Sequence, residues 1–177
     1  MEYGRADFVP TLELFAHLGG RVIVEIGSIR GEGRQHLVGD GHSTIAWAEH
    51  AEDVFSIDID PRATELTRRL TQQYGNVTAV TQDGVEFLQA FDQPIDLLYL
   101  DGWDTWLPEC AERHLEAYLV ARRSLHERSL ILIDDTEDEA KSKGRLLIPQ
   151  AQQDGWHIVF QRYQTLLARS AVTEGEA

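Results

Sequence analysis

The chain has 177 residues, 42% apolar and 26% charged, enough to bury a core without staples. Its 16 Lys and Arg against 30 Asp and Glu leave a net charge of −14, which argues against a nucleic-acid or anionic-membrane partner, because phosphates need clustered cations. A single cysteine, Cys110, excludes an internal disulfide and a cysteine-based zinc site. No apolar stretch approaches the roughly 18 residues of a membrane span, and no basic stretch leads into an apolar run at the start. The expectation is a soluble, cytoplasmic protein without a membrane partner.

In chain order, residues 10–18 predict an opening helix. Residues 21–27 read as a buried strand ending in Gly27, and the glycine-rich 28–40 segment leads to a short helix over 43–50. A second strand covers 53–58. Asp60-Pro61 then caps a helix with Ala63, Leu66, Leu70 and Tyr74 on its buried face, ended by Gly75. A third strand covers 77–80, and Asp83 reads as the cap of a helix over 84–89. The fourth strand covers 95–101, followed by a helix over 107–125 with Leu107, Ala111, Leu115 and Leu119 on one face. The fifth covers 130–134, followed by a weaker helix over 143–153. Runs at 156–160 and 165–168 are too close for a helical crossover, so they pair antiparallel.

These βα units predict an α/β fold: a doubly wound, mostly parallel seven-stranded sheet with an antiparallel terminal hairpin. One domain is expected over 1–168, with 169–177 a flexible tail. In such sheets ligands lie at the carboxyl ends of the strands, so those residues are the ones to read. Gly27, Gly31, Gly33, Gly39 and Gly41 allow close backbone approach, and His42-Ser43-Thr44 opens a helix. Asp58 ends the second strand, where a carboxylate accepts the two hydroxyls of a ribose. Asp83 is placed to meet an exocyclic adenine amine, or serves only as the helix cap. The fourth strand ends Leu100-Asp101-Gly102-Trp103-Asp104 and the fifth ends Ile133-Asp134-Asp135. Neighbouring strands bring Asp101, Asp134 and Asp135 together. Such carboxylates repel unless a cation lies between them, and all-oxygen ligands suit Mg²⁺, Mn²⁺ or Ca²⁺. The alternative is that Asp134 or Asp135 caps a turn and Asp101 orients a substrate. Trp103 is the aromatic expected to wall a flat ligand, and Trp106 the one expected to pack on the next helix.

With these residues the chain resembles the class I S-adenosylmethionine-dependent methyltransferases, over about residues 10–168. Val24-Glu25-Ile26-Gly27 looks like their first motif, Asp58 like their ribose acid and Asp83-Gly84 like their adenine-side motif. The resemblance implies a Rossmann-like fold and S-adenosyl-L-methionine as cofactor. It implies contacts to the cofactor from Glu25, Gly27, Ser28, Gly41 and Ser43, from Asp58, Ile59, Asp83 and Gly84, and from Asp101 and Trp103. The acidic strand ends are similar to those of the metal-dependent small-molecule O-methyltransferases of the catechol and macrocin types. That similarity implies Mg²⁺ held by Asp101, Asp134 and Asp135, a small-molecule acceptor, and Asp104 as proton acceptor with His42 as the weaker candidate.

The spacer over 28–40 is longer than in that family and reads as a lid over the site. With no long N-terminal extension expected, an acceptor pocket built by one is not expected either. Recognition then falls to the 28–40, 102–108 and 135–145 segments, or to a second subunit, which would make the protein a homo-oligomer. Three other readings stay open: a metal-independent methyltransferase acting on another small acceptor, a non-catalytic cofactor-binding module, and a dinucleotide-dependent oxidoreductase, which the missing glycine fingerprint disfavours.

Overall fold

The computed structural model describes residues 7–31 and 42–169. Gly41, most of the 28–40 segment and the tail from residue 170 lie outside the described residues. The elements are α1 (Phe8–His17), β1 (Val22–Ile26), α2 (Ser43–Ala48), β2 (Asp53–Asp58), α3 (Pro61–Thr71), β3 (Val77–Thr81) and α4 (Gly84–Ala90). They continue with β4 (Ile95–Leu100), α5 (Cys110–Ala121), β5 (Leu125–Ile133), α6 (Leu147–Gln153), β6 (His157–Gln161) and β7 (Thr165–Ala168). The seven strands form one sheet in the order β3-β2-β1-β4-β5-β7-β6. The first five are parallel, and β7 runs antiparallel to both β5 and β6, as expected. No helix among the described residues is long and apolar enough to cross a membrane.

Successive strand residues point to opposite faces of a sheet, and here the alternation builds two cores. One face of β1 carries Val24 and Ile26 into a cluster with Leu88, Ala117, Tyr118 and Ile148, beneath α4, α5 and α6. The other face carries Ile23 against Phe8, Phe15 and Trp47 of α1 and α2. The rings of Phe8, Trp47 and Tyr99 meet there, with Trp47 5.4 Å from Tyr99 and 4.9 Å from Phe8 between centroids. Glu25 lies on this second face, a carboxylate fully buried in an apolar layer.

Several elements differ from the expectation. The buried face of α3 is Ala63, Thr64, Thr67 and Thr71, while Leu66 and Leu70 are only half-buried. Small threonines let the helix lie close to β2 and β3, and Thr67 Oγ1 accepts the Ile29 amide, tying α3 to the loop after β1. In α5 the buried face is Cys110, Ala111, His114, Ala117, Tyr118 and Ala121; Ala111 lies on it as expected, while Leu119 is exposed. β5 begins at Leu125, five residues early, because Ser129 Oγ bridges from the His126 amide to the Ile95 carbonyl across an irregular register. The helices α5 and α6 start three and four residues late. The residues before each are turns, and those turns build the site.

Candidate active site

The carboxyl ends of β1, β2 and β4 open into a cleft of about 300 Å³, at the lower end of ligand pockets. Gly27 forms its floor with φ of +104°, a conformation that L side chains rarely adopt. A Cβ there would lie 2.8 Å from the Asp101 carbonyl oxygen, so only glycine lets the β1 and β4 ends approach this closely. Gly84, at the start of α4, is similarly tight: a Cβ would meet Ile26 at 2.5 Å and the Trp103 ring at 3.3 Å.

Asp58 lines the cleft from the end of β2 and accepts backbone N–H groups from Ser28 at 3.0 Å and from Asp60 at 2.8 Å. These two bonds fix its carboxylate and leave further lone pairs for a ligand. Ile59 beside it lines the cleft and is 73% exposed. Asp83 caps α4 through Val85 and Glu86 and takes Arg113 Nη2 on its other oxygen at 2.6 Å. The same guanidinium covers the Trp103 ring at 5.0 Å. Trp103, with φ of +40°, also meets His114 edge-on at 5.2 Å.

At the far side of Asp101 the three carboxylates converge, with one oxygen of each within 4.8 Å of the others. Lys143 lies among them. Its Nζ is 2.6 Å from Asp101 Oδ1, 3.0 Å from Asp135 Oδ2 and 3.9 Å from Asp134 Oδ2. The lysine is 1% exposed. Burial would lower its pKa, but the carboxylates of Asp101, Asp134 and Asp135 outweigh burial and raise it above that of an ordinary lysine. Burial likewise lowers His114, next to this cluster, to about 4, and its Nδ1 pairs with the Cys110 carbonyl at 2.8 Å.

The family profile described as a methyltransferase domain matches residues 24–136. The chain belongs to the methyltransferase domain family. Its fold is that of the class I S-adenosylmethionine-dependent methyltransferases. An rRNA methylase from Streptococcus thermophilus superposes with a TM-score of 0.65 at 14% identity, over 93% of this chain and 96% of that one. The N-methyltransferase NodS from Bradyrhizobium japonicum gives 0.62 at 15% identity, over 94% and 95%. The S-adenosylhomocysteine-bound methyltransferase PaMTH1 from Podospora anserina gives 0.63 at 14% identity, over 93% and 79%. No curated protein sequence matches the chain significantly.

Within this methyltransferase domain, Gly27, Asp58, Ile59, Asp83, Gly84, Asp101, Trp103 and Asp104 all line the one cleft. Glu25, Ser28, His42 and Ser43 do not. Ser43, Thr44 and Ser56 donate hydroxyls to Glu25 and Trp47 Nε1 donates at 3.0 Å, so Glu25 anchors α2 and β2 rather than facing the cleft. The reason is the strand alternation that aims Ile26 at the cleft and Glu25 at the opposite face. Burial raises the Glu25 carboxyl to about 7, against the pull of those four donors. Ser28 binds behind the cleft, its amide on Asp58 and its hydroxyl 2.9 Å from that of Ser56. Trp103 lines the cleft as expected while its ring also packs on α5, but Trp106, expected to pack on that helix, is 76% exposed.

Two residues of the site carry no role in the sequence reading. Arg30 lines the cleft and pairs with Asp104 at 2.9 Å. Lys143, expected within a helix over 143–153, belongs to the turn before α6. One signal points to it: the chain has two lysines, Lys141 and Lys143, and both follow the acidic end of β5. The donor set of Asp101, Asp134 and Asp135 has the chemistry of a hard-cation site, but a divalent cation does not fit beside the ammonium that occupies its centre.

Proposed function

We propose that the protein transfers a methyl group from S-adenosyl-L-methionine to a hydroxyl of a small molecule. The observation that carries the cofactor part is the single cleft that joins Gly27, Asp58, Asp83 and Gly84 at the ends of neighbouring strands. S-adenosylmethionine supplies an electrophilic methyl on a sulfonium. Asp58, already oriented by two backbone amides, accepts the ribose hydroxyls. Ile59 and Trp103 offer apolar faces for the base, and Asp83 stays the cap of α4 while lining the adenine side. Asp101 presents the acidic wall that suits a sulfonium.

The acceptor part rests on the residues beyond that wall. Thr105, Asp135, Asp138 and Lys141 line a neighbouring hollow of about 200 Å³ and offer hydroxyl-binding groups, and Trp106, next to Thr105 in the chain, is exposed. The acceptor oxygen displaces the sulfur in line, the C–S electron pair stays on sulfur, and the hydroxyl proton leaves to a base. Asp104 is that base in this reading, held at the cleft wall by Arg30. His42 does not line the cleft and drops to a supporting place at the start of α2. Asp101, Asp134 and Asp135 would be the ligands of an assisting Mg²⁺, but the Lys143 ammonium fills their centre. The net charge of −14 weighs for a small acceptor over a nucleic acid.

The test is calorimetry with S-adenosylhomocysteine, then a screen of phenolic and polyol acceptors with S-adenosylmethionine. Binding of S-adenosylhomocysteine with turnover of a hydroxyl acceptor is expected. No binding overturns the cofactor assignment, and turnover confined to amines overturns the acceptor assignment.

A further inference from the structure

We infer that the ammonium of Lys143 takes the position of a divalent cation among Asp101, Asp134 and Asp135, so that this site works without metal. The inference deepens the proposed function and rests on it only for the consequence in catalysis.

The hydrogen bonding divides each carboxylate in the same way. Asp101 gives Oδ1 to Lys143 at 2.6 Å and Oδ2 to the Tyr99 hydroxyl at 3.3 Å. Asp135 gives Oδ2 to Lys143 at 3.0 Å and Oδ1 to the Tyr163 hydroxyl. Asp134 turns Oδ2 toward Lys143 at 3.9 Å and accepts Gln164 Nε2 on Oδ1 at 2.5 Å. In each residue one oxygen faces the ammonium and the other faces a neutral donor. A hard divalent cation would have to take the oxygens that Lys143 now uses, at metal–oxygen distances of about 2.1–2.6 Å. It would then lie against a positive charge in a buried site, where repulsion is large.

Lys143 is not free to swing away. Its own amide donates to the Asp135 carbonyl at 3.3 Å, which ties the turn to the end of β5. The next residue, Gly144, is packed so tightly that a Cβ would meet Ile148 at 2.5 Å and Thr136 at 3.3 Å. Ser142 Oγ accepts the Gly144 amide at 3.0 Å and closes the turn. The lysine is 1% exposed, so it reaches the acceptor only through the carboxylates. It is a positioning residue: it holds Asp101, which lines the cleft, against Asp135, which lines the neighbouring hollow beside Thr105.

Mn²⁺ is the probe, followed by electron paramagnetic resonance on the full chain, with no acceptor required. The wild type is expected to leave the free-ion signal unchanged at millimolar Mn²⁺. Lys143→Ala is expected to bind one Mn²⁺, with affinity raised by about a hundredfold once the competing charge is gone. Adding Asp134→Asn to that variant should abolish the gain. A wild type that binds one Mn²⁺, lost in Asp134→Asn, overturns the inference. So does a folded Lys143→Ala that binds none. Lys143→Met keeps the aliphatic stem if the alanine variant does not fold, and the wild-type titration decides on its own if neither folds. Calorimetry with S-adenosylhomocysteine on the same wild-type sample separates the two readings. Loss of that binding removes the proposed function and leaves the Mn²⁺ result standing.

Discussion

Lys143 Nζ and Asp101 Oδ1 lie 2.6 Å apart although 42 residues separate them in the chain. The contact joins the end of β4 to the turn before α6, and the same ammonium reaches Asp135 after β5. Two strand ends and one turn are thus held by one charge. Removing one partner of a buried ion pair leaves the other uncompensated, at about 3–5 kcal/mol. Asp101 and Asp135 are partly exposed, so the lower end of that range applies to Lys143→Met, read as a shift of the urea midpoint. Adding Asp134→Asn, which removes one of the repelling carboxylates, should recover part of the loss. Equal midpoints for Lys143→Met and wild type would show that the cluster does not hold the loops.

Asp58→Ala should weaken S-adenosylhomocysteine binding by about 1.5–3 kcal/mol, the range for hydrogen bonds to a charged group. Asp58 also accepts the Ser28 and Asp60 amides, so the fold of the variant is checked first by circular dichroism. Unchanged affinity in a folded variant would remove Asp58 from the ribose contact.

Gly27→Ala places a methyl 2.8 Å from the Asp101 carbonyl oxygen at a backbone φ of +104°. Backbone strain of this kind costs about 1–3 kcal/mol, and the backbone neighbour cannot rotate away. The melting temperature should fall, and S-adenosylhomocysteine affinity should fall with it because β1 and β4 must separate. A variant that melts and binds as wild type would contradict the close approach.

Two buried groups should set opposing slopes of stability against pH. Folding raises Glu25 from its ordinary 4.5 to about 7, chiefly through burial, so the fold binds a proton that the unfolded chain has released. That contribution is complete below 4.5 and is lost as the pH rises through 7. Folding lowers His114 from 6.5 to about 4, again through burial. Its contribution is present above 6.5 and is lost as the pH falls through 4. Each is worth about 3 kcal/mol at full extent. In wild type the two slopes oppose each other between 4.5 and 6.5. Glu25→Gln should leave stability rising with pH through this range, and His114→Gln should leave it falling. Urea unfolding from about pH 4 to 8 reads both slopes. Parallel profiles for the two variants would show that other groups govern the pH dependence.

Much of this architecture is legible in the chain. The runs ending at Gly27, Asp58, Asp101 and Asp134 are strands because apolar continuity and turn residues act locally, within a few positions. The short gap between 160 and 165 leaves β6 and β7 no room for a crossover, and they pair antiparallel. The strand order, in which β1 lies between β2 and β4, brings their carboxyl ends together. Strand ends therefore name the cleft residues Gly27, Asp58 and Asp101 without any coordinates. The helix faces were less legible. Leucine spacing pointed to Leu66 and Leu119, where close packing chose Thr67 and Tyr118 instead.

What only the tertiary structure decided is which neighbour each charged side chain meets. Glu25 follows the alternation of β1 away from the cleft, and four donors from α2 and β2 collect around it. Trp103 walls the cleft with its ring held by Arg113 and His114 of α5, and Trp106 stays in solvent. Asp101, Asp134 and Asp135 converge as their strand ends require, and convergence demands a positive charge. The chain itself announces that demand but not its source. A metal ion and a lysine both satisfy the electrostatics. The choice falls to Lys143 because the turn packed around Gly144 delivers its ammonium into the carboxylates, a matter of packing between segments that are remote in sequence.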